Sequence, residues 1–498
     1  MQSAAWLPVA FEVTLLVGAL AVLLVAVVAG RSRDVWGPVA GIAFAASALM
    51  GVWQWIDVET NGGGLFFSSD NFSIVRSPMV VMDSFSALAA VVLGAVGFVA
   101  FLSSWDLQAQ LGKRAAEFSA LMLLAVAGLH MMTATPNLVV IFIGLETASI
   151  AFYVLAGFTR KTEGSDESAL KYFMLGSLAS ALFLYGVALT FAATGSLTLY
   201  GVNSIRNFFS GQLITEPGIL LVGLALMLVG LMFKVSAAPF HQWAPDVYQG
   251  APAGAVGVMA AGVKVAGFAA LARIFLGGMI SQIDAWAPIL AVIAALSMVV
   301  GTVMALVQDD VKRMLAYSGV AHAGYILTTI VAGVPGLEAM WFYLATYAFM
   351  IVGAFAVVSA VNGPGSGAAP IASLKGLARR SPETAWLMAI LMLGMSGMPF
   401  FAGFVGKVLA FVAVAEAGYL WLVIIGTLTT VIGLVFYLRI VATMFSRDGD
   451  ATDESTESES LSVSLPTRFA IVIAAVVTFF FGVVPWPLLD VVRSALPF

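Results

Sequence analysis

Residues 230–252 read Gly-Leu-Met-Phe-Lys-Val-Ser-Ala-Ala-Pro-Phe-His-Gln-Trp-Ala-Pro-Asp-Val-Tyr-Gln-Gly-Ala-Pro. The stretch closes an apolar run that begins near Ile219, and Lys234 then stands where a hydrocarbon side chain is expected. Pro239 follows within five residues and has no N–H, and its ring clashes with the preceding turn, so a helix breaks here. An ionisable group beside a helix break inside a membrane is costly, and such groups usually face protein or water and mark an ion path. Taken alone, Lys234 also fits a lysine snorkelling from a helix end.

Working outward, the chain of 498 residues is 61% hydrophobic and 10% charged. A soluble domain carries about 25% charged residues. Apolar runs of about 20 residues recur along the whole length, each able to cross a ~30 Å hydrocarbon core. The fold class is therefore an all-α polytopic membrane protein, since a β-barrel would show short alternating segments. The first run, Val9 to Gly30, has no basic region before it and no small-residue cleavage site after it, and reads as a retained span. There is no cysteine, which excludes Cys-ligated iron–sulfur clusters, cysteine zinc sites and disulfides. No strand is predicted, and no Gly-rich phosphate loop follows one. Nothing suggests NAD, ATP or haem held by this chain, and no basic pattern points to nucleic acid.

Fourteen spans are predicted: 9–30, 37–55, 78–104, 117–133, 137–158, 169–194, 217–249 (broken), 254–276, 286–307, 311–332, 337–361, 383–415 (broken), 418–444 and 468–489. With the N-terminus outside, inner loops hold Arg31, Arg33, Lys113, Arg114, Arg160, Lys161, Lys312, Arg313, Lys375, Arg379, Arg380, Arg447 and Arg468. Outer segments hold only Arg76, Arg206, Arg273 and Arg493. Basic residues collect on the cytoplasmic side, so both termini are predicted to be periplasmic or extracellular. The acidic, Ser-rich segment 446–467 reads as a disordered cytoplasmic loop. No soluble domain fits, and residues 1–498 form a single transmembrane domain.

Residues 231–240, Leu-Met-Phe-Lys-Val-Ser-Ala-Ala-Pro-Phe, match 391–400, Leu-Met-Leu-Gly-Met-Ser-Gly-Met-Pro-Phe, at the first, second, sixth, ninth and tenth positions. Leu and Met are common here, so a short match can be accidental. Yet both copies interrupt a span, and each lies close to a lysine, Lys234 or Lys407. Five spans separate them, and an odd shift inverts the second copy. Residues 117–276 and 286–444 are thus predicted to be inverted repeats, whose interrupted helices point to the working site of a transporter.

Four ionisable residues lie well inside spans: Glu146, Lys234, Lys264 and Lys407. Each costs about 2.5–3.5 kcal/mol to insert at the bilayer centre. One carboxylate and three amines suggest a Glu–Lys pair with further lysines able to become neutral, because burial disfavours charge. The bland reading is that they only bind helices together. His322, deep in its span, suits a proton relay or a hydrogen-bonded packing role. His130 reads as structural. His241, near Asp246, either lines an inner half-channel or satisfies freed backbone groups. No histidine spacing suggests a metal site. Lys171 opens the sixth span and reads as interfacial. Asp309, Asp310, Lys312 and Arg313 read as a solvated or headgroup-facing cluster, Asp83 as a residue near the outer mouth, and Glu416 as interfacial.

Three stretches carry a family resemblance: Gly-Leu-Glu at 144–146, the run at 234–252, and Asp-Val-Lys-Arg-Met-Leu-Ala-Tyr-Ser-Gly-Val-Ala-His-Ala-Gly-Tyr at 310–325. The chain resembles the antiporter-like, proton-conducting membrane subunits of respiratory complex I, the NADH–quinone oxidoreductase. Relatives occur in multisubunit cation/proton antiporters and membrane-bound hydrogenases. Pro-Asp-Val-Tyr-Gln-Gly-Ala-Pro at 245–252 resembles the N-type subunit, where the M and L types read Pro-Asp-Ala-His-x-x-Ala-Pro. Lys407 agrees, because the M type resembles a carboxylate there. The long lateral helix of the L type is not expected.

The resemblance implies fourteen helices, with spans 4–8 and 9–13 as inverted repeats and spans 7 and 12 broken. It implies that Glu146 and Lys234 are a coupling pair, Lys264 the central relay, and Lys407 the residue gating exchange to the outside, with Lys171 and His322 supporting. It implies no cofactor in this subunit. NADH, FMN, iron–sulfur clusters and quinone would belong to partner subunits. An M-type subunit and small membrane subunits would flank the chain in a bacterial plasma (inner) membrane. A cation/proton antiporter or hydrogenase subunit remains the alternative, as does a non-transporting scaffold.

Overall fold

The structure is a computed structural model, and it describes residues 6–29, 32–66, 78–159, 164–201, 204–211, 217–363, 365–446 and 461–495. Arg31, Arg76, Arg160, Lys161 and Arg447, and residues 447–460 of the acidic loop, lie outside the described residues. The chain runs through α1 (Ala10–Val28), α2 (Arg33–Asn61), α3 (Ser84–Ser103), α4 (Trp105–Leu111), α5 (Ala115–Thr133), α6 (Leu138–Ala156) and α7 (Ser165–Thr194). It continues through α8 (Ile205–Gly211), α9 (Pro217–Val235), α10 (Trp243–Gly250), α11 (Ala253–Leu271), α12 (Ile283–Leu306), α13 (Val311–Val331) and α14 (Gly336–Asn362). Last come α15 (Leu377–Arg380), α16 (Pro382–Ser396), α17 (Ala402–Glu416), α18 (Leu420–Phe445), α19 (Leu465–Val483) and α20 (Trp486–Ser494).

Among the described residues, thirteen helical stretches are long and apolar enough to cross a membrane. The protein is a multi-pass membrane protein. Helices α16 and α17, fifteen residues each, are individually too short to span, and they fall on the twelfth predicted span. Two boundaries differ from expectation. Residues Val80–Met82 are not the start of a span but a strand, β2, paired antiparallel with β1 (Gly64–Phe66). The predicted absence of strands is therefore corrected by one short hairpin, too small to carry a hydrophobic period. The last span ends at Val483 because Pro485 cannot continue it, and α20 is a separate short helix.

Burial sorts the helices. The apolar windows of α11 and α13 are buried on every side, and that of α14 nearly so, as expected of helices at the centre of a bundle. The outer helices keep apolar stripes exposed, such as Leu16, Leu20, Leu24 and Val27 on α1. Small residues set the approach of α5 to α6. A Cβ added to Gly144 would come within 2.8 Å of the Gly128 carbonyl oxygen, so both positions need glycine for backbones to meet. Side-chain caps fix where α6 and α13 begin. Asn137 Oδ1 accepts from the Val139 and Val140 N–H groups at 2.9 and 3.3 Å, and Asp310 Oδ1 accepts from the Arg313 N–H at 2.9 Å.

One expected surface residue is inside. Arg273, counted among the outer cations, is fully buried just beyond α11. Its guanidinium donates to Asp83 Oδ1 and Oδ2 at 2.7 and 2.9 Å, to the Thr133 carbonyl at 2.5 Å, and to the Tyr200 hydroxyl. Asp83 is thus not simply a residue at a mouth. It caps α3 through the Ser86 N–H at 2.8 Å and holds the buried arginine, joining α3, α5 and the end of α11.

Candidate functional site

The two breaks have the same hydrogen-bond pattern. After α9, the Ser236 N–H donates to Phe233 O at 3.1 Å and the Ala237 N–H to Met232 O at 2.9 Å. After α16, the Gly397 N–H donates to Gly394 O at 3.1 Å and the Met398 N–H to Leu393 O at 3.2 Å. Both are the double-bonded helix ending that needs a left-handed residue, supplied by Ser236 (φ 60) and Gly397 (φ 83). Sequence aligns Ser236 with Ser396, but the backbone equates Ser236 with Gly397. The interruption then covers residues 236–242 in the first copy and 397–401 in the second.

A helix C-terminus exposes unsatisfied carbonyls and a partial negative charge. Each break seats a lysine there. Lys264 Nζ donates to Val235 O, the last carbonyl of α9, at 2.9 Å. Lys407 Nζ donates to Ser396 O at 3.0 Å and Met395 O at 3.4 Å. Both amines are buried. Lys407 lies across Gly397, where a Cβ would sit 3.0 Å from Nζ, and 4.6 Å from the centre of the Tyr325 ring.

Lys234, in the last turn of α9, is buried and donates to Ser149 Oγ at 2.8 Å. Ser149 lies one turn along α6 from Glu146, on the same face. The carboxylate of Glu146 interacts electrostatically with Lys234, yet no ion pair joins them, and Glu146 Oε1 is buried without a hydrogen-bond partner. Ser149, Tyr153, Ser180, Gly176 and Lys234 line a cavity of about 10 Å³, close to the smallest space that holds one water.

Between the two seated lysines lies a cluster of hydroxyls around His322. His322 Nδ1 bonds the Tyr343 hydroxyl at 2.8 Å, and Nε2 bonds that of Tyr437 at 3.0 Å. Tyr437 also bonds Ser318. The Tyr325 hydroxyl donates to Thr429 Oγ1 at 3.1 Å, while its ring faces Lys407. The fold therefore brings together five of the six residues singled out in sequence: Glu146, Lys234, Lys264, His322 and Lys407.

Lys171 stands apart. Its side chain is 44% exposed and pairs with Glu167 at 2.7 Å and Asp246 at 2.9 Å. Asp246 also takes Arg313 at 2.6 Å, and the group borders a polar pocket with Gln249 and Ser168. His241 Nδ1 is buried without a partner. His130 fits its structural reading: Nδ1 meets Glu12 Oε1 at 2.7 Å and Nε2 meets Ser86 O at 3.2 Å. The solvated reading of 309–313 holds for Asp309, exposed and paired with Arg439 at 2.6 Å, but fails for Lys312. That amine is buried and donates to Ala251 O at 2.8 Å and Ser366 O at 2.9 Å, because the chain at 365–370 folds over it. Sequence reading missed Glu12, Ser149 and the tyrosines. The latter had a signal: Ser318, His322 and Tyr325 share a face of α13, as do Tyr343 and Tyr347 on α14.

Among the described residues no group of three His, Cys, Asp or Glu could hold a metal ion. Residues 135–433 match the family model described as NADH:quinone oxidoreductase/Mrp antiporter, TM. The chain belongs to this family. Within it, the chain is 38% identical over 420 residues to NADH-quinone oxidoreductase subunit N 1 of Solibacter usitatus, covering 84% of this chain and 85% of that protein. It is 35% identical to subunit N 2 of Roseiflexus castenholzii, covering 98% and 96%. Among solved structures, a chain of respiratory complex I from Thermus thermophilus matches with TM-score 0.76 and 31% identity, covering 96% of this chain and 98% of that one. A chain of the archaeal membrane-bound sulfane sulfur reductase matches with TM-score 0.84 and 27% identity, covering 97% and 96%. A chain of the Mrp complex from Dietzia shares the fold, with TM-score 0.84 at 21% identity over 98% and 97%.

Proposed function

We propose that this chain is the N-type, proton-translocating membrane-arm subunit of an NADH–quinone oxidoreductase. The observation that carries the reading is the pair of buried amines, Lys264 and Lys407, seated on the carbonyl ends of two broken helices with His322 and its tyrosines between them. Buried lysines linked by groups that both donate and accept protons can pass a proton without any cofactor in this chain. Quinone reduction in partner subunits, which would hold NADH, FMN and the iron–sulfur clusters, shifts charge near Glu146. While the carboxylate is near, it favours the proton on Lys234. When its influence weakens, the proton moves to Lys264, then across the His322 cluster to Lys407, which exchanges with the outside. Lys171 supports the inner surface through Asp246 rather than carrying the proton. In the same reading, 117–276 and 286–444 are inverted repeats, M-type and small membrane subunits flank the chain in the inner membrane, and both termini face the periplasm.

The test is Lys234→Ala and Lys264→Ala in the assembled complex, with proton pumping per NADH oxidised measured in vesicles. Loss of most pumping with the complex intact is expected. Full stoichiometry in either variant would sink the transport role. The family description also names Mrp antiporters, and the second reading is a cation/proton antiporter subunit. That reading requires cation-gradient-driven proton flux with no dependence on NADH.

A further inference from the structure

The path proposed above has a gap between Lys264 and His322. Both ring nitrogens of His322 are engaged by Tyr343 and Tyr437, and Lys264 is held by Val235 O. One side chain faces that gap. Tyr347, on α14, is 1% exposed, and its hydroxyl has no hydrogen-bond partner among the described residues. Buried tyrosine hydroxyls usually find one. The ring of Tyr347 lies 4.7 Å from that of His322, whose Nε2 bonds the Tyr437 hydroxyl at 3.0 Å.

Gly319 marks the same spot from the opposite side. A Cβ added there would lie 3.3 Å from the Tyr347 oxygen, 3.6 Å from Lys264 Cε and 3.8 Å from Lys264 Nζ. The hydroxyl and the amine therefore converge on the bare Cα of one glycine inside α13. Any larger residue would put a carbon in contact with both.

We propose that Tyr347 is a proton relay between Lys264 and the Tyr437–His322 pair, working through the gap that Gly319 keeps open. The inference rests on the proton path of the preceding section. When the Tyr347 hydroxyl comes within hydrogen-bond reach of both neighbours, the ammonium of Lys264 gives a proton to its oxygen as its own O–H proton passes to Tyr437. The Tyr437 proton moves to His322 Nε2. Lys264 ends neutral, His322 ends as imidazolium with Nδ1–H donating to Tyr343, and both tyrosines end as they began. No electron is transferred and no co-reactant is needed.

Tyr347→Phe removes only an oxygen that has no partner, so a purely structural tyrosine predicts unchanged or higher thermal stability and unchanged pumping. The relay predicts unchanged or higher stability with the rate of proton pumping lowered about a hundredfold, the lower end of the range for losing a positioned proton-transfer group. Full pumping by Tyr347→Phe overturns the proposal. If that variant fails to assemble, Gly319→Ala decides. Alanine is favoured over glycine within a helix, so assembly is expected to hold. Lowered pumping supports the relay, and full pumping overturns it. Lys264→Ala run in parallel separates the two levels. If Lys264→Ala pumps fully, the path itself is wrong. If it fails while Tyr347→Phe pumps fully, only the relay is wrong.

Discussion

Gly397 has two independent reasons to be glycine. Its φ of 83 lies where side chains cost roughly 1–2 kcal/mol. A Cβ would also press to 2.9–3.0 Å on the Lys407 side chain. Gly397→Ala is expected to lower the thermal midpoint of the purified protein and to unseat Lys407, whereas Gly319→Ala changes stability little. Parallel melting curves check this, and equal midpoints for the two variants would refute it. The charged residues of the site were legible because a lysine or glutamate inside an apolar run has no ordinary explanation. The partners were not. A buried tyrosine is normal core, and whether its hydroxyl meets His322 or nothing depends on helix rotation, which a single sequence does not record. Lys312 was misjudged for a related reason. Its place at a helix start suggests solvent, and it is covered by the return of the chain at 365–370.

At the level of elements, Pro239 and Pro399 announced both interruptions, but not which residue turns left-handed. Tertiary contacts decide that, and they choose a serine in one copy and a glycine in the other. Ser236→Gly should be neutral to about 1 kcal/mol stabilising, since relief of the left-handed cost is offset by the greater freedom of glycine when unfolded. Ser396→Gly should destabilise by up to about 1 kcal/mol, because Ser396 is helical. It also removes the Oγ bond to Leu393 O at 2.7 Å. Thermal unfolding of both variants gives the comparison, and shifts of the same sign would show that the serines are equivalent after all. Spans α9 and α11 followed directly from hydropathy. The β1–β2 hairpin did not, because three-residue strands carry no readable period.

Across the whole molecule, the centre was predictable in kind and its ties were not. Helices that are apolar all round must sit inside, and α11, α13 and α14 do. Arg273 looked like one more loop cation, yet from the end of α11 it ties the start of α3 and the end of α5 through Asp83 and Thr133, and the loop after α7 through Tyr200. Removing one partner of a buried ion pair strands the other, at a cost of about 3–5 kcal/mol. Arg273→Met, which leaves only the partly exposed Asp83 behind, should cost less than Asp83→Ala, which leaves a buried guanidinium. Detergent-solubilised melting midpoints rank the two, and the reverse order would mean that the arginine acts through packing alone.

The seats of Lys264 and Lys407 would survive the proton transfer proposed for them. An ammonium has three N–H groups, and the neutral amine keeps two, so Val235 O and Ser396 O retain a donor whichever form is present. Only the attraction of charge to the helix end is lost, about 0.3–1 kcal/mol and up to ~2 when partly buried. A carboxylate placed there would repel the carbonyls, and an arginine would never release its proton. With lysine the scaffold has little to rearrange as charge comes and goes. Low reorganisation means low friction, and a proton path of the kind proposed would run in either direction under a small bias.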